Sequence, residues 1–166
     1  MGEIEGEIAA HQHRHAPLHG PAPVDREIAG RKRPPEQEDA GLGLVGDAFS
    51  EASVIEQLKG SQSIGHVRYS TTGETILRNV QPLYADLASG GFAVAHNGNI
   101  SNAMSLRTDL VNKGSIFQST SDTEVIIHLV ATSRYPTMLD RFVDALRLVE
   151  GAYSLIVMTN AGMIAC

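Results

Sequence analysis

Short hydrophobic segments separated by glycine and small polar residues make up residues 41–166. Apolar or aromatic residues at alternate positions predict strands over residues 63–69, 83–87, 91–96, 153–158 and 162–166. Apolar residues spaced three and four apart behind a polar capping residue predict helices that begin at Ser50, at Ser101 or Asn102, at Ser121 and at Thr137. The last two helices follow each other directly, an order that argues against a doubly wound parallel sheet. The pattern therefore favours an α+β fold in which helices cover antiparallel sheets.

Residues 1–40 differ in composition from the rest of the chain. They contain four of the seven histidines and five of the seven prolines, and the first aromatic residue is Phe49. Such a segment cannot offset the entropy of ordering its backbone, so we expect a disordered tail over 1–40 and one domain over 41–166. The histidines at positions 11, 13, 15 and 19 could bind a transition metal. A solvated tail without a metal is the interpretation that the composition favours.

Charge and cysteine content narrow the classes of function. The chain has 166 residues, with 13 basic and 19 acidic side chains and a formal net charge of −6. This excess of acid disfavours nucleic acid and anionic membranes as partners. No apolar run approaches the roughly 20 residues of a transmembrane helix. Because Cys166 is the only cysteine, an intrachain disulfide and a cysteine metal cluster are excluded. We therefore expect a cytoplasmic protein without a membrane or nucleic-acid partner.

Two polar clusters follow predicted strands. The segment GHVRYSTTGE, residues 65–74, places Arg68 at a strand end before small and hydroxyl residues. Arg68 either extends over the sheet into solvent or offers a fork of donors to a carboxylate. The segment AVAHNGNIS, residues 93–101, contains Asn97 and Gly98, which alone favour a tight turn. The alternative is that the Asn97 carboxamide and the Gly98 N–H converge on a developing oxyanion, with His96 and Asn99 as further donors beside them.

A third cluster, STSDTEVI at residues 119–126, begins a predicted helix. Ser121 and Glu124 have the spacing of a capping box, which explains both without a ligand. Asp122 either stabilises the first helical turn or pairs with a ligand ammonium. Together the three clusters would bind a carboxylate, an oxyanion and an ammonium. That set is what a site needs to hold an α-amino acid and to attack its side-chain carbonyl.

The motifs GLGLVGD, GHVRYSTTGE, LRNVQPLYAD, HNGNISN, TSDTEVIIHL, VEGAYSL and the final IAC resemble those of one family. From residue 41 to 166 the sequence resembles the glutaminase half of amidophosphoribosyltransferases, glutamine-dependent enzymes that open purine synthesis. Glucosamine-6-phosphate synthases share the Asn-Gly and Ser-Asp elements. They typically have Arg-Trp-Ala-Thr-His-Gly where this chain has RYSTTG, so the purine enzymes are the better match.

The resemblance implies a fold, a reaction and a role for each cluster. The fold is that of N-terminal-nucleophile hydrolases, a four-layer sandwich of two antiparallel sheets between helical layers, incomplete here. Arg68 would bind the α-carboxylate of glutamine, Asp122 its α-ammonium, and Asn97 with Gly98 would form the oxyanion hole. An N-terminal cysteine would attack the carboxamide. Ammonia would then pass to a phosphoribosyltransferase domain and displace pyrophosphate from phosphoribosyl pyrophosphate.

The resemblance also implies Mg²⁺, and in some members an iron–sulfur cluster, for the transferase part of the enzyme, whereas it implies no cofactor and no metal for this chain. It further implies a homo-oligomer.

The sequence departs from the family at the nucleophile, since no cysteine precedes Cys166. We expect Cys166 to be a buried, inert thiol at the end of a core strand. A fragment of the amidotransferase with little or no activity of its own is therefore the leading hypothesis, and a frame-shifted reading of residues 1–40 would explain the missing nucleophile. The alternatives are a glutamine-binding module without hydrolysis, a glucosamine-6-phosphate synthase-like glutaminase domain, and a protein that carries metal on its histidine-rich tail.

Overall fold

The computed structural model describes residues 6–13, 37–43, 50–58, 60, 62–69 and 77–166. Its strands are β1 (Gly6–His13), β2 (Gln37–Gly43), β3 (Gln62–Tyr69), β4 (Leu83–Leu87), β5 (Gly90–Ile100), β6 (Gly151–Thr159) and β7 (Gly162–Ala165). Its α-helices are α1 (Ala52–Gln57), α2 (Ala103–Asn112), α3 (Glu124–Thr132) and α4 (Met138–Leu146). A short 3₁₀ turn, Leu77–Asn79, precedes β4. None of the helices in these ranges is long and apolar enough to cross a membrane.

The strands form two antiparallel sheets. One has the order β2-β1-β3 and the other the order β4-β5-β6-β7, and every pairing in both is antiparallel. In the second sheet each strand pairs with the next one in the sequence, and a two-residue turn joins β6 to β7 where Thr159 faces Gly162. The antiparallel α+β architecture predicted from the order of elements is confirmed.

The two faces of the four-stranded sheet have different partners. Phe92 and Val94 on β5 face a core formed with α2, α3 and α4, where the Phe92 and Phe142 rings lie 6.2 Å apart. The intervening Ala93 and Ala95 face the other way and pack with Ile64 of β3. Because successive strand residues point to opposite faces, one strand supplies both cores. The helices thus cover one face of this sheet, and the three-stranded sheet lies against the other.

Two predicted helix ends are confirmed. The Thr137 hydroxyl accepts a hydrogen bond from the Asp140 N–H, as an N-cap residue should. At the end of α2, the Gly114 N–H bonds to the Val111 carbonyl and the Ser115 N–H bonds to the Leu110 carbonyl. This is a Schellman ending, and Gly114 has the positive φ of 97° that it requires.

At the starts of α1, α2 and α3 the N-cap side chain makes no capping hydrogen bond, and only α2 has as its N-cap a residue that was predicted for it. Asn102 is the N-cap residue of α2, but its carboxamide bonds to the Leu148 carbonyl and the Glu150 N–H. The N-cap residue of α1 is Glu51. The helix predicted from Ser121 begins at Glu124, and the Glu124 carboxylate bonds to backbone upstream of Ser121, so no capping box forms.

The structure also differs from the expectation of disorder over residues 1–40. It places β1 and the first residues of β2 there, with Ile8 opposite both Gly41 and Val67. Strand pairing uses main-chain groups and does not need the aromatic side chains that this segment lacks. The rest of the tail, including His15 and His19, lies outside the described residues. The division into a tail over 1–40 and a domain over 41–166 stays a prediction.

Candidate functional site

A cavity of about 790 Å³ opens at the end of β5. Its size falls within the range of about 300–1,000 Å³ that is usual for ligand sites. Its walls come from β3, the 3₁₀ turn, β5, the first turns of α2, and the loop before α3. The residues that line it include His66, Asn79, His96, Asn97, Gly98, Arg107 and Asp122. Residues of all three polar clusters therefore line the cavity.

Asn97 and Gly98 lie on β5 rather than in a tight turn, so the turn interpretation is wrong. Both pair with β6, where Gly98 is opposite Tyr153. Gly98 has a φ of 135°, and a Cβ atom there would lie 2.3 Å from the Ala152 carbonyl oxygen. Only glycine fits this position, because any side chain would collide with backbone. The Asn97 carboxamide makes no side-chain hydrogen bond with the described residues and lies in the cavity wall.

Asp122 lines the same cavity from the loop before α3. Its Oδ2 atom accepts a hydrogen bond from the Ile100 N–H at 3.0 Å. Its side chain is 31% exposed, so the carboxylate is held on one side and open to a ligand on the other. Because Ile100 ends the strand that carries Asn97 and Gly98, this bond fixes the distance between the carboxylate and the proposed oxyanion donors.

The loop that carries Asp122 is held by a buried carboxylate. Glu124 is 8% exposed, and its two oxygens accept hydrogen bonds from the Gln118 N–H at 2.8 Å, the Ser119 N–H at 2.7 Å and the Ser119 hydroxyl at 2.6 Å. Burial alone would raise the pKa of this carboxyl, but the bonds from Ser119 and Gln118 and the nearby His128 outweigh it and lower the pKa. Arg107 adds a bond from its guanidinium to the Ser119 carbonyl at 2.7 Å.

A second connection ties the same loop to the 3₁₀ turn. The Asn79 carboxamide donates to the Thr120 hydroxyl at 2.8 Å and accepts from the Thr120 N–H at 2.9 Å. No role was predicted from the sequence for either residue. Such paired polar contacts leave no sign in a hydrophobic pattern, so only the folded chain reveals them.

His96 is buried behind the Asn97–Gly98 pair, with 4% of its surface exposed. The His96 backbone N–H donates to the Gln81 side-chain oxygen at 2.7 Å. The Nδ1 atom of its ring lies 3.0 Å from the Thr123 hydroxyl and 3.7 Å from an Asp122 oxygen. Burial lowers the pKa of the imidazole, and the Asp122 charge opposes that shift only in part. His96 was predicted as a donor, whereas no role was predicted for the buried Gln81 and Thr123, although both lie within the motifs LRNVQPLYAD and TSDTEVIIHL.

Arg68 lies near the end of β3, opposite Glu7 of β1. The two preceding residues, His66 and Val67, line the cavity, which places the Arg68 backbone at its edge. The side chain of Arg68 lies outside the described residues, as do residues 70–76 of its motif. Its predicted contact with a carboxylate stays a prediction.

Cys166 lies away from the cavity and is exposed, so the expectation of a buried thiol is wrong. Its backbone continues β7 alongside Leu155, with hydrogen bonds in both directions. Partial burial of the sulfur nevertheless raises the pKa of the thiol, which lowers its reactivity at neutral pH. Cys166 therefore provides neither the position nor the thiolate that attack on a cavity ligand would need.

The chain is similar to known glutamine amidotransferases. A family model described as glutamine amidotransferase domain matches residues 66–165. An amidophosphoribosyltransferase of Rhizobium etli is 52% identical over 128 residues, which are 77% of this chain and 26% of that protein. One from Lacticaseibacillus casei is 40% identical over 138 residues, which cover 83% of this chain and 71% of that protein. The chain thus spans about a quarter of the length of several of its relatives.

Solved structures give the same result for the fold. The glutamine phosphoribosylpyrophosphate amidotransferase of Bacillus subtilis, complexed with ADP and GMP, has a TM-score of 0.74 and 34% identity. A structure described as the allosteric regulatory enzyme of purine biosynthesis has a TM-score of 0.76 and 36% identity. Each match covers 99% of this chain and 31% of the other. The N-terminal-nucleophile amidotransferase fold and the preference for the purine enzymes over glucosamine-6-phosphate synthases are confirmed, and the chain belongs to the amidophosphoribosyltransferase family.

Proposed function

We propose that the cavity binds free glutamine as the glutaminase site of an amidophosphoribosyltransferase. The observation that carries this proposal is the bond between Asp122 and the Ile100 N–H, because it holds one carboxylate at a set distance from Asn97 and Gly98. An α-amino acid with a side-chain carboxamide matches such a site, since its ammonium and its carboxamide oxygen lie at opposite ends of one small molecule.

Each residue has a distinct part in this proposal. The Asp122 carboxylate accepts a charge-assisted hydrogen bond from the α-ammonium. The Asn97 carboxamide and the Gly98 N–H donate to the carboxamide oxygen and stabilise it as negative charge develops during attack on the carbon. Arg68 binds the α-carboxylate with two parallel bonds from its guanidinium. These four residues hold the ligand at both ends.

Hydrolysis needs a nucleophile besides this binding set. In the family that role falls to an N-terminal cysteine, and the only cysteine of this sequence, Cys166, does not line the cavity. We therefore propose that the chain as it stands binds glutamine and releases little or no glutamate. Residues 66–165 would thus bind glutamine. Cleavage of the C–N bond of its carboxamide would need a thiol that this sequence does not provide in the cavity.

The parent reaction gives the site its context. We propose that ammonia from glutamine serves a phosphoribosyltransferase domain, which forms phosphoribosylamine and pyrophosphate from phosphoribosyl pyrophosphate, in a homo-oligomeric cytoplasmic enzyme. Mg²⁺, and in some members an iron–sulfur cluster, would belong to the phosphoribosyltransferase part of that enzyme. Within the ranges that the structure describes, no group of three His, Cys, Asp or Glu side chains could hold a metal ion.

Isothermal titration calorimetry of the full chain with L-glutamine tests the proposal. Asp122→Asn keeps an oxygen for the Ile100 N–H but removes the charge, so the fold is retained while the ammonium loses its partner. A hydrogen bond to a charged group contributes about 1.5–3 kcal/mol, which corresponds to a loss of affinity of roughly 10- to 150-fold. Asp109→Asn is the matched control, since Asp109 is exposed on α2 and does not line the cavity.

A second ligand separates the ammonium contact from general damage. Glutaramate has the carboxylate and the carboxamide of glutamine but no α-amino group. Asp122→Asn should therefore weaken glutamine binding and leave glutaramate binding nearly unchanged. If the unaltered chain binds no glutamine, or if Asp122→Asn weakens both ligands equally, the proposed site is wrong.

A further inference from the structure

His96 is a buried polar side chain in the cavity wall to which the roles above assign nothing. Its Nε2 atom has no hydrogen-bond partner among the described residues and is inaccessible to solvent. A buried polar atom without a partner destabilises the folded state, so a histidine is a poor choice for this position on packing grounds alone. The imidazole therefore calls for an explanation in terms of the site.

The hydrogen bonds around His96 favour one form of the ring. The Ser121 hydroxyl donates to the Thr123 hydroxyl at 3.0 Å, which leaves the Thr123 proton for the His96 Nδ1 atom 3.0 Å away. An Nδ1 atom that accepts this bond belongs to a neutral imidazole with its proton on Nε2. The chain from Ser121 through Thr123 to His96 thus holds the ring in position and favours the tautomer with its proton on Nε2.

The same ring connects the two halves of the site. The backbone N–H of His96 donates to the Gln81 side chain, and its imidazole contacts the Thr123 hydroxyl. The next two residues on β5 are Asn97 and Gly98. The same Nδ1 atom that contacts Thr123 also lies 3.7 Å from an oxygen of Asp122. We propose that His96 is a positioning residue that joins the oxyanion strand to the ammonium-binding loop and must stay uncharged for glutamine to bind. This inference rests on the proposed function.

The physical reason is competition for one carboxylate. A protonated His96 would place a positive charge beside Asp122 and pair with it, so the ligand ammonium would meet a carboxylate that is already neutralised. By linkage, a bound ammonium next to Asp122 makes protonation of His96 harder. A proton on His96 and glutamine in the cavity therefore exclude each other.

The surroundings of His96 set the pH range of this effect. Asp122 faces it from the loop before α3, and the Tyr153 ring faces it from β6 at 6.4 Å, edge to face. His66 of β3 and Arg107 of α2 line the same cavity. Because burial lowers the pKa of His96 below its usual 6.5, the ring is neutral at physiological pH and takes a proton only in more acidic solution. Glutamine affinity should be constant near neutral pH and should decrease as the pH drops below the pKa of His96.

Calorimetry between about pH 7.5 and pH 5 tests the inference, since neither charged group of glutamine titrates in that range. The affinity of the unaltered chain should fall by up to about tenfold per pH unit once the pH is below the His96 pKa. His96→Asn offers a carbonyl oxygen to Thr123 but cannot be protonated, so its affinity should no longer depend on pH. His96→Leu offers no acceptor and should bind less tightly than His96→Asn at every pH.

His128→Asn is the matched control, because it makes the same substitution at a histidine on α3 that does not line the cavity. It should keep the pH profile of the unaltered chain. Nitrogen NMR of the imidazoles gives a readout without glutamine: His96 should carry its proton on Nε2, and Asp122→Asn should lower its pKa further, since the opposing charge is gone.

The outcomes distinguish failure of the proposed function from failure of the role of His96. A chain that binds no glutamine at any pH refutes the proposed function, and this inference with it. If the His96→Asn variant binds glutamine with the same pH profile as the unaltered chain, only the role of His96 is refuted and the proposed function stands. A proton on Nδ1, or a His96 pKa that does not respond to Asp122→Asn, also refutes that role.

Discussion

Replacing Glu124 by glutamine tests whether a buried carboxylate holds the loop that carries Asp122. Its oxygens accept three hydrogen bonds, two from Ser119 and one from Gln118. A glutamine in its better orientation keeps the bonds from Ser119, but its NH₂ group then points at the Gln118 N–H. One donor is left facing another donor, and the remaining bonds lose their charge. The loop should therefore be destabilised without a change in side-chain volume.

The magnitude follows from the bonds that are lost or weakened. Hydrogen bonds to charged groups contribute about 1.5–3 kcal/mol each, and a buried donor without a partner costs about 1–3 kcal/mol. Partial relaxation of the loop reduces the sum, so Glu124→Gln should lower the free energy of unfolding by about 2 kcal/mol at neutral pH. Because Asp122 lies in this loop, glutamine affinity should fall as well.

The pH dependence separates this explanation from a general packing defect. The pKa of Glu124 is lowered in the folded chain, so its contribution is present above the unfolded value of 4.5 and is lost as the pH falls through the lower, folded pKa. Urea unfolding at neutral pH and at about pH 3.5 should give a large difference between the two proteins at the first pH and a smaller one at the second. Glu150→Gln is the control, because Glu150 is exposed and its carboxylate makes no hydrogen bond within the described residues. An equal difference at both pH values, or none at neutral pH, would refute the role of the carboxylate.

Further predictions concern glycines and a helix cap, and urea unfolding measures each. Gly98→Ala should cost at least about 3 kcal/mol, since positive φ is strained for alanine and the new Cβ would meet the Ala152 carbonyl at 2.3 Å. Gly114→Ala has a positive φ but nothing within 4 Å of its Cβ, so it should cost only about 1–2 kcal/mol; equal costs would contradict the steric argument. Thr137→Ala removes the bond from the Asp140 N–H and should cost about 1 kcal/mol, whereas Thr137→Ser should retain most of that stability.

The parts of the fold that the sequence predicts are those with a local signal. The alternation along β5 is visible in the sequence because Phe92 and Val94 are large and the intervening Ala93 and Ala95 are small and apolar. The Schellman ending at Gly114 is visible because it requires a residue that tolerates positive φ. Strands such as β1 pair through their backbone with residues far along the chain, so composition carries no local signal for them.

The candidate site was predictable at the level of residue types and unpredictable at the level of contacts. Asn97, Gly98 and Asp122 stand out as polar residues at the ends of apolar segments, and the structure brings all three to one cavity. The capping-box spacing of Ser121 and Glu124 was misleading. A glutamate three residues after a serine can reach back to that serine's N–H, but here the Glu124 side chain finds three better donors further upstream.

The precision of the site depends on cross-links rather than on the strand alone. A β-strand in a sheet holds Asn97 and Gly98 rigidly, but Asp122 lies in a loop, and a loop by itself fixes a carboxylate poorly. Two bonds connect this loop to β5: the Ile100 N–H to Asp122, and the Thr123 hydroxyl to His96. Neither bond involves a cysteine or a residue from the first 60 of the chain. The geometry proposed for binding glutamine is therefore separable from the nucleophile, and under the proposed function a chain without that nucleophile should retain affinity while it loses turnover.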